Sequence, residues 1–144
     1  MYLVITNNSE LFKNVKAGFF IEGSALDVLI ETRTRIHLGS ILLTSPLCGN
    51  LRPEHQPFRT IIIDKREGPA DLESLSLIEE AVKIYQSCAN KIIKPENLDD
   101  YVREDYAFID CELMRVSLEQ YGLIDTKIQF QTAALRTKNS KGGI

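Results

Sequence analysis

Residues 15–44 read VKAGFFIEGSALDVLIETRTRIHLGSILLT, and the order of their local signals decides the fold class. Residues 15–21 are apolar and aromatic, short enough for a buried strand, and closed by Glu22-Gly23. Ser24 then stands as a helix N-cap with Asp27 three residues on, the spacing at which side chain and backbone amide satisfy each other reciprocally. Leu26, Leu29, Ile30, Arg33, Ile36 and His37 follow at helical spacing. Gly39 lies where a helix end wants a residue with positive φ. Arg33, Arg35 and His37 fall in the last turns, where the helix dipole favours positive charge. Residues 41–44 (ILLT) start a further strand. Strand, helix, strand at this spacing predicts a βαβ crossover, which is right-handed and leaves its strands parallel.

Working outward, residues 2–6 (YLVIT) form a short buried strand stopped by Asn7-Asn8-Ser9, and 11–14 allow a helical turn. Residues 59–64 make a fourth strand. Asp71 caps a helix carrying Leu72, Leu75, Ile78, Val82, Tyr85 and Cys88 on one stripe. Asn97 caps another, with Leu98, Val102, Tyr106, Ile109, Leu113 and Val116 expected inward and Gly122 ending it. A short link between these helices predicts antiparallel packing of the pair. The expected architecture is α/β: a single domain over 1–122, with a small, mostly parallel sheet of about four strands, a βαβ crossover and two long C-terminal helices. Residues 123–144 are expected to be a tail. Within it KIQFQT alternates like an edge strand, TAALRTK equally suits a helix, and the last residues read as frayed.

The length of 144 residues fits one domain. The net charge of −3 argues against nucleic acid, which demands a basic face. Three cysteines at wide spacing, with no CxxC or Cys/His ligand pair, predict reduced thiols and no metal. The start, MYLVITNNSE, lacks a basic signal-peptide opening, and no segment approaches the ~18 apolar residues of a membrane span. A soluble, cytoplasmic protein is expected.

Between two strand-like runs lies the connection LLTSPLCGNLRPEHQPFRTIII, residues 42–63, which holds three of the five prolines and one of the two histidines. It is longer than the usual two to six residues of a compact connection. Pro46, Pro53 and Pro57 fix φ, and Ser45, Arg52 and Gln56 before them are pushed to extended backbone. Such a pre-stiffened loop loses less entropy on binding. It also leaves the carboxyl end of the third strand, where α/β proteins bind ligands. Arg52 and Arg59 are the expected ligand contacts, since guanidinium forks match carboxylate or phosphate. Thr44, Ser45 and Asn50 would add hydroxyl and amide bonds, and His55 sits inside the loop. His37 either closes the last carbonyls of its helix or faces the loop. Its place before the third strand puts it at the end opposite Thr44. Asn7 and Asn8 share the rim of Thr44 if the first and third strands are parallel. Cys48 is the cysteine outside a helix stripe, with Arg52 and His55 as nearby cations, yet no nucleophile signature surrounds it. Asp105 and Asp110 are expected in solvent, pairing with Arg103 or Arg115. Neither GxxxxGK[ST] nor GxGxxG occurs, so no nucleotide or other cofactor is implied and no catalytic residue is assigned.

The stretch 36–62, IHLGSILLTSPLCGNLRPEHQPFRTII, resembles the GrdX-like proteins encoded beside the glycine reductase of amino-acid-fermenting anaerobic bacteria. The likeness rests on His37, Gly39, Leu42, Leu43, Thr44, Pro46, Leu47, Gly49, Pro53 and Pro57, with LDVLIETR before them. Many relatives carry His where this chain has Ser45, and tend to carry Ser near the Gly where this chain has Cys48-Gly49-Asn50. The resemblance implies association with glycine reductase; it implies no activity and supplies no catalytic residues. The expected function is a non-catalytic accessory protein of that fermentation system, binding a reductase subunit or a small anion through residues 44–59. The alternative is a small enzyme acting on an anionic, amino-acid-derived metabolite. A homodimer through the outer faces of the long helices is a further expectation.

Overall fold

The computed structural model describes residues 1–47 and 52–132. Its strands are β1 (Tyr2–Thr6), β2 (Gly18–Phe20), β3 (Ile41–Leu42) and β4 (Thr60–Asp64). Its α-helices are α1 (Ser9–Phe12), α2 (Ala25–His37), α3 (Leu72–Ser87) and α4 (Asp100–Gln120). The strands form one sheet in the order β2-β1-β4-β3. β1 pairs parallel with β2 and antiparallel with β4, and β3 is also antiparallel to β4. The sheet is therefore mixed, which corrects the mostly parallel expectation. β2 and β3, joined through α2, point the same way as expected but stand at opposite edges, with β1 and β4 between them. The reason is visible in β4, where TIIID is buried at every residue. A strand covered on both faces reads as a continuous apolar run whichever way it points, so its direction leaves no mark in the pattern.

Alternate residues of β1 and β4 feed two cores. Leu3, Ile5, Ile61 and Ile63 pack with Val28, Leu29 and Ile36 of α2 and Ile78, Val82 and Tyr85 of α3. Val4 and Ile62 face the other way, against Leu11, Cys111, Met114 and Leu118. Leu123, Ile124 and Phe130 are laid on this second core by the irregular segment after α4. The two long helices thus lie on opposite faces of the sheet, and α3 packs on α2 rather than on α4. The link between them crosses from one face to the other through 3-10 turns at Ala89–Lys91 and Pro95–Asn97.

The inward face of α4 also departs from expectation. Ala107, Asp110, Cys111, Met114 and Leu118 are buried, whereas Val102, Ile109, Leu113 and Val116 are exposed. Both faces of α4 are apolar at helical period, and periodicity cannot choose between them. On the face that is buried, Thr60 and Asn8 give Asp110 its polar partners. No helix of the described residues is long and apolar enough to cross a membrane.

α2 forms as its sequence dictates. The Ser24 Oγ accepts from the Asp27 amide at 3.3 Å and the Asp27 carboxylate accepts from the Ser24 amide at 2.8 Å. At the other end, the Ser40 amide reaches Arg35 O and the Gly39 amide reaches Ile36 O, each at 3.0 Å, the Schellman arrangement. Gly39 has φ +115°, and a Cβ there would stand 2.6 Å from the Gly68 amide nitrogen. Neither the strained φ nor the backbone clash can relax through a side chain. Gly39→Ala is expected to lose about 2–4 kcal/mol of stability in urea denaturation; a loss under about 0.5 kcal/mol would show that this corner can move.

Candidate functional site

β1, β2 and β3 run the same way, so their carboxyl ends share one rim with the start of β4. Ligands of open α/β sheets bind beyond such a rim. Thr44 and the Asn7-Asn8 pair do lie on it together. The Asn7 side chain ties three chain segments there. Its Nδ2 donates to Gly23 O at 3.0 Å and Pro57 O at 2.9 Å, and its Oδ1 accepts from the Arg59 amide at 2.8 Å. Asn8 caps α1 by accepting from the Leu11 amide, and its Nδ2 donates to Ala107 O at 2.9 Å and Asp110 Oδ2 at 3.0 Å.

Asp110 is the centre of a buried network. The Thr60 hydroxyl donates to its Oδ2 at 2.7 Å. Thr60 Oγ1 lies 2.8 Å from Thr6 Oγ1. Since Thr60 has given its proton to the carboxylate, Thr6 must be the donor in that second bond. Thr6 Oγ1 in turn accepts from the Asn8 amide at 3.0 Å. Burial pushes the Asp110 pKa up, while the bonds from Asn8 and Thr60 and the charge of Arg59 pull against it. The neighbouring Cys111 thiol is also pushed up, first by burial and then by Asp110. A thiol held in its protonated form is no nucleophile.

The loop candidates divide. Arg59 is 3% exposed. Its Nε donates to Pro46 O at 3.1 Å and its Nη2 to Ser45 O at 2.9 Å, so the guanidinium fastens the exit of β3 to the entry of β4. Thr44 Oγ1 accepts from the Ile62 amide at 3.1 Å and prolongs the β3–β4 ladder by one side-chain bond. Ser45 Oγ donates to Leu47 O at 2.7 Å within its own turn. These three residues build the loop. Arg52 and His55 are exposed, and no ion pair of Arg52 falls among the described residues. His55 lines a cavity of about 450 Å³ together with Phe58, Tyr106, Ile109, Asp110 and Leu113. His37 lies at the opposite rim, where Nε2 meets Glu79 of α3 at 3.0 Å and the next residue's carbonyl accepts from Gly68. The structure does not bring it to the loop. Asn50 and Cys48 lie outside the described residues.

Asp110 was expected in solvent, and the correction has a local cause. It shares a face with Ala107, Cys111, Met114 and Leu118, and that small-to-medium apolar face is the signal that could have placed it. Thr6 and Thr60 read only as strand residues. A larger cleft of about 620 Å³ opens beside Asn7 and is walled by Phe20, Glu22, Phe58, Lys94 and Arg103; nothing in the spacing of these residues forecasts their meeting.

Fold and rim together define a three-layer α/β/α protein whose central polar residues are bonded to one another and whose clefts open on either side of Phe58. The family model for GrdX-like proteins matches residues 3–119, which takes in β2, β3 and β4, all of β1 but Tyr2, and all of α4 but Gln120. The chain belongs to the GrdX-like family. No curated protein and no solved structure matches it.

Proposed function

We propose that this protein is a non-catalytic accessory protein that docks onto another protein, and that its partner is a subunit of a glycine reductase-type system of anaerobic amino-acid fermentation. The resemblance of residues 36–62 to proteins encoded beside that reductase supports the choice of partner. One observation carries the mode of action. Val102, Tyr106, Ile109, Leu113 and Val116 recur at alternating spacings of four and three along the outward side of α4, and Ile109, Leu113 and Val116 are 50%, 55% and 74% exposed. That is the period with which one helix seats another. The stripe runs into the cavity beside His55 and Phe58, which suits a large apolar anchor from the partner. The contact surface is thus this stripe with the adjoining residues His55 to Phe58, extended along the loop to the exposed Arg52.

The alternative, an enzyme acting on an anionic metabolite, would use Arg59 as an anion clamp. That guanidinium is instead bonded to the loop carbonyls.

Capture of purified glycine reductase subunits by the immobilised protein tests the proposal. Ile109→Glu with Leu113→Glu is expected to weaken capture at least about tenfold, and Arg52→Ala a few-fold. Capture that survives the double change, or no capture of any subunit, would overturn it. Light scattering on the same samples distinguishes a homodimer through the stripe, which the double change would dissociate.

A further inference from the structure

We infer that the cleft beyond the carboxyl ends of β1 and β2 is a binding site for a small zwitterion, a molecule carrying a carboxylate and an ammonium on an apolar body. Its volume of about 620 Å³ falls within the ~300–1,000 Å³ of small-molecule sites, and its position is the one open α/β sheets use. The floor is fixed, because Asn7 is bonded at both ends of its amide to Gly23, Pro57 and Arg59. Phe20 and Phe58 supply apolar wall.

The charges decide the ligand class. Of the lining cations, Lys13 is neutralised by Glu10 at 2.6 Å and Arg103 by Asp100. Glu10 is itself buried and also accepts from the Gln131 amide at 2.8 Å. Glu104 also lines the cleft and is engaged elsewhere, whereas Lys94, Glu22 and Glu96 line it with no ion pair among the described residues. Among the described residues, one ammonium and two carboxylates without an ion pair therefore line the same cleft. A simple anion would meet the two carboxylates, and a simple cation would meet Lys94. A zwitterion can pair with both, its carboxylate on Lys94 and its ammonium on Glu22 or Glu96.

This site shares Phe58 with the cavity at the end of the α4 stripe but none of the stripe's own residues, and the test keeps the two apart. Calorimetric titration would use three probes of one shape: phenylalanine, 3-phenylpropionate, which lacks the ammonium, and 2-phenylethylamine, which lacks the carboxylate. Phenylalanine is expected to bind at least about tenfold more tightly than either truncated probe. Lys94→Gln should weaken phenylalanine about tenfold and leave 2-phenylethylamine unchanged, and Glu22→Gln should weaken both. The Ile109→Glu, Leu113→Glu variant should bind phenylalanine as the parent does. Equal binding of all three probes, no binding of phenylalanine, or indifference to both cleft substitutions would overturn the assignment.

Discussion

Asp110→Ala is expected to lose about 3–4 kcal/mol of folding stability, measured by urea denaturation at neutral pH. The substitution removes the acceptor for the Thr60 hydroxyl and for one N–H of Asn8. Both donors are buried, so water cannot simply take the place of the carboxylate, and each is left with its desolvation unrecovered. The damage then spreads along the chain of bonds. Thr60 no longer has a fixed direction for its proton, so Thr6 loses the acceptor that oriented it. Asp110→Asn should behave differently. An amide oxygen at the position of Oδ2 still accepts from Thr60 and Asn8, and no charge is buried. That variant is expected within about 1 kcal/mol of the parent at neutral pH. An alanine variant as stable as the asparagine one would show that the network holds nothing together.

The same residue sets a pH dependence with a definite sign. Burial raises the Asp110 pKa in the folded chain, so the folded state keeps this proton where the unfolded chain has released it. The stability it contributes is complete below the unfolded carboxyl value, about 4. It is lost as pH climbs from there through the folded value. Relative to Asp110→Asn, the parent should therefore weaken with rising pH, with a slope of at most about 1.4 kcal/mol per pH unit. Asp71 acts in the opposite sense. Bonds from the Ser74 hydroxyl and amide hold its pKa down, so its contribution is present above the unfolded value and lost as pH falls through the folded one. Comparing the parent with the asparagine variant across pH isolates Asp110 from such groups; parallel curves would reject a buried, proton-retaining Asp110.

How much of this was legible beforehand differs by element, and the differences are physical. α2 could be read almost to the residue, because its capping pair and its Gly39 end are local signals that tertiary packing merely confirms. The strands were legible as apolar runs, but the direction of β4 was not, since a doubly buried strand carries no directional pattern. On α4 the sequence offered two apolar faces. The face with the larger side chains, Ile109, Leu113 and Val116, was taken as the inner one, yet the sheet receives the smaller face with Asp110. Its donors come from far along the chain, Thr60 from 50 residues before Asp110 and Asn8 from 102, with Thr6 bonded in turn to Thr60. No local rule joins groups at that separation. Both loop arginines read alike in the sequence, as ligand contacts; in the structure Arg59, the one nearer the strand, is bonded to the loop's own carbonyls.

Arg59→Met carries the second large effect, an expected loss of about 2–4 kcal/mol in urea denaturation. Methionine retains much of the apolar stem and withdraws the donors. The carbonyls of Ser45 and Pro46 then lose their partners, and the buried Pro46 has little access to water. Arg52→Ala, an exposed position, should stay within about 0.5 kcal/mol of the parent. The contrast separates an arginine that fastens the loop from one that faces outward on it. Arg59 has a further effect at a distance, because its charge favours the ionised form of Asp110. Removing it should make Asp110 retain its proton to higher pH still. The costs of Arg59→Met and Asp110→Asn should then fail to add, with a coupling of about 0.5–1 kcal/mol at pH 8 that fades as pH falls and Asp110 takes up its proton with or without the arginine. A coupling that stays constant across that range would mean the two residues communicate through packing rather than charge.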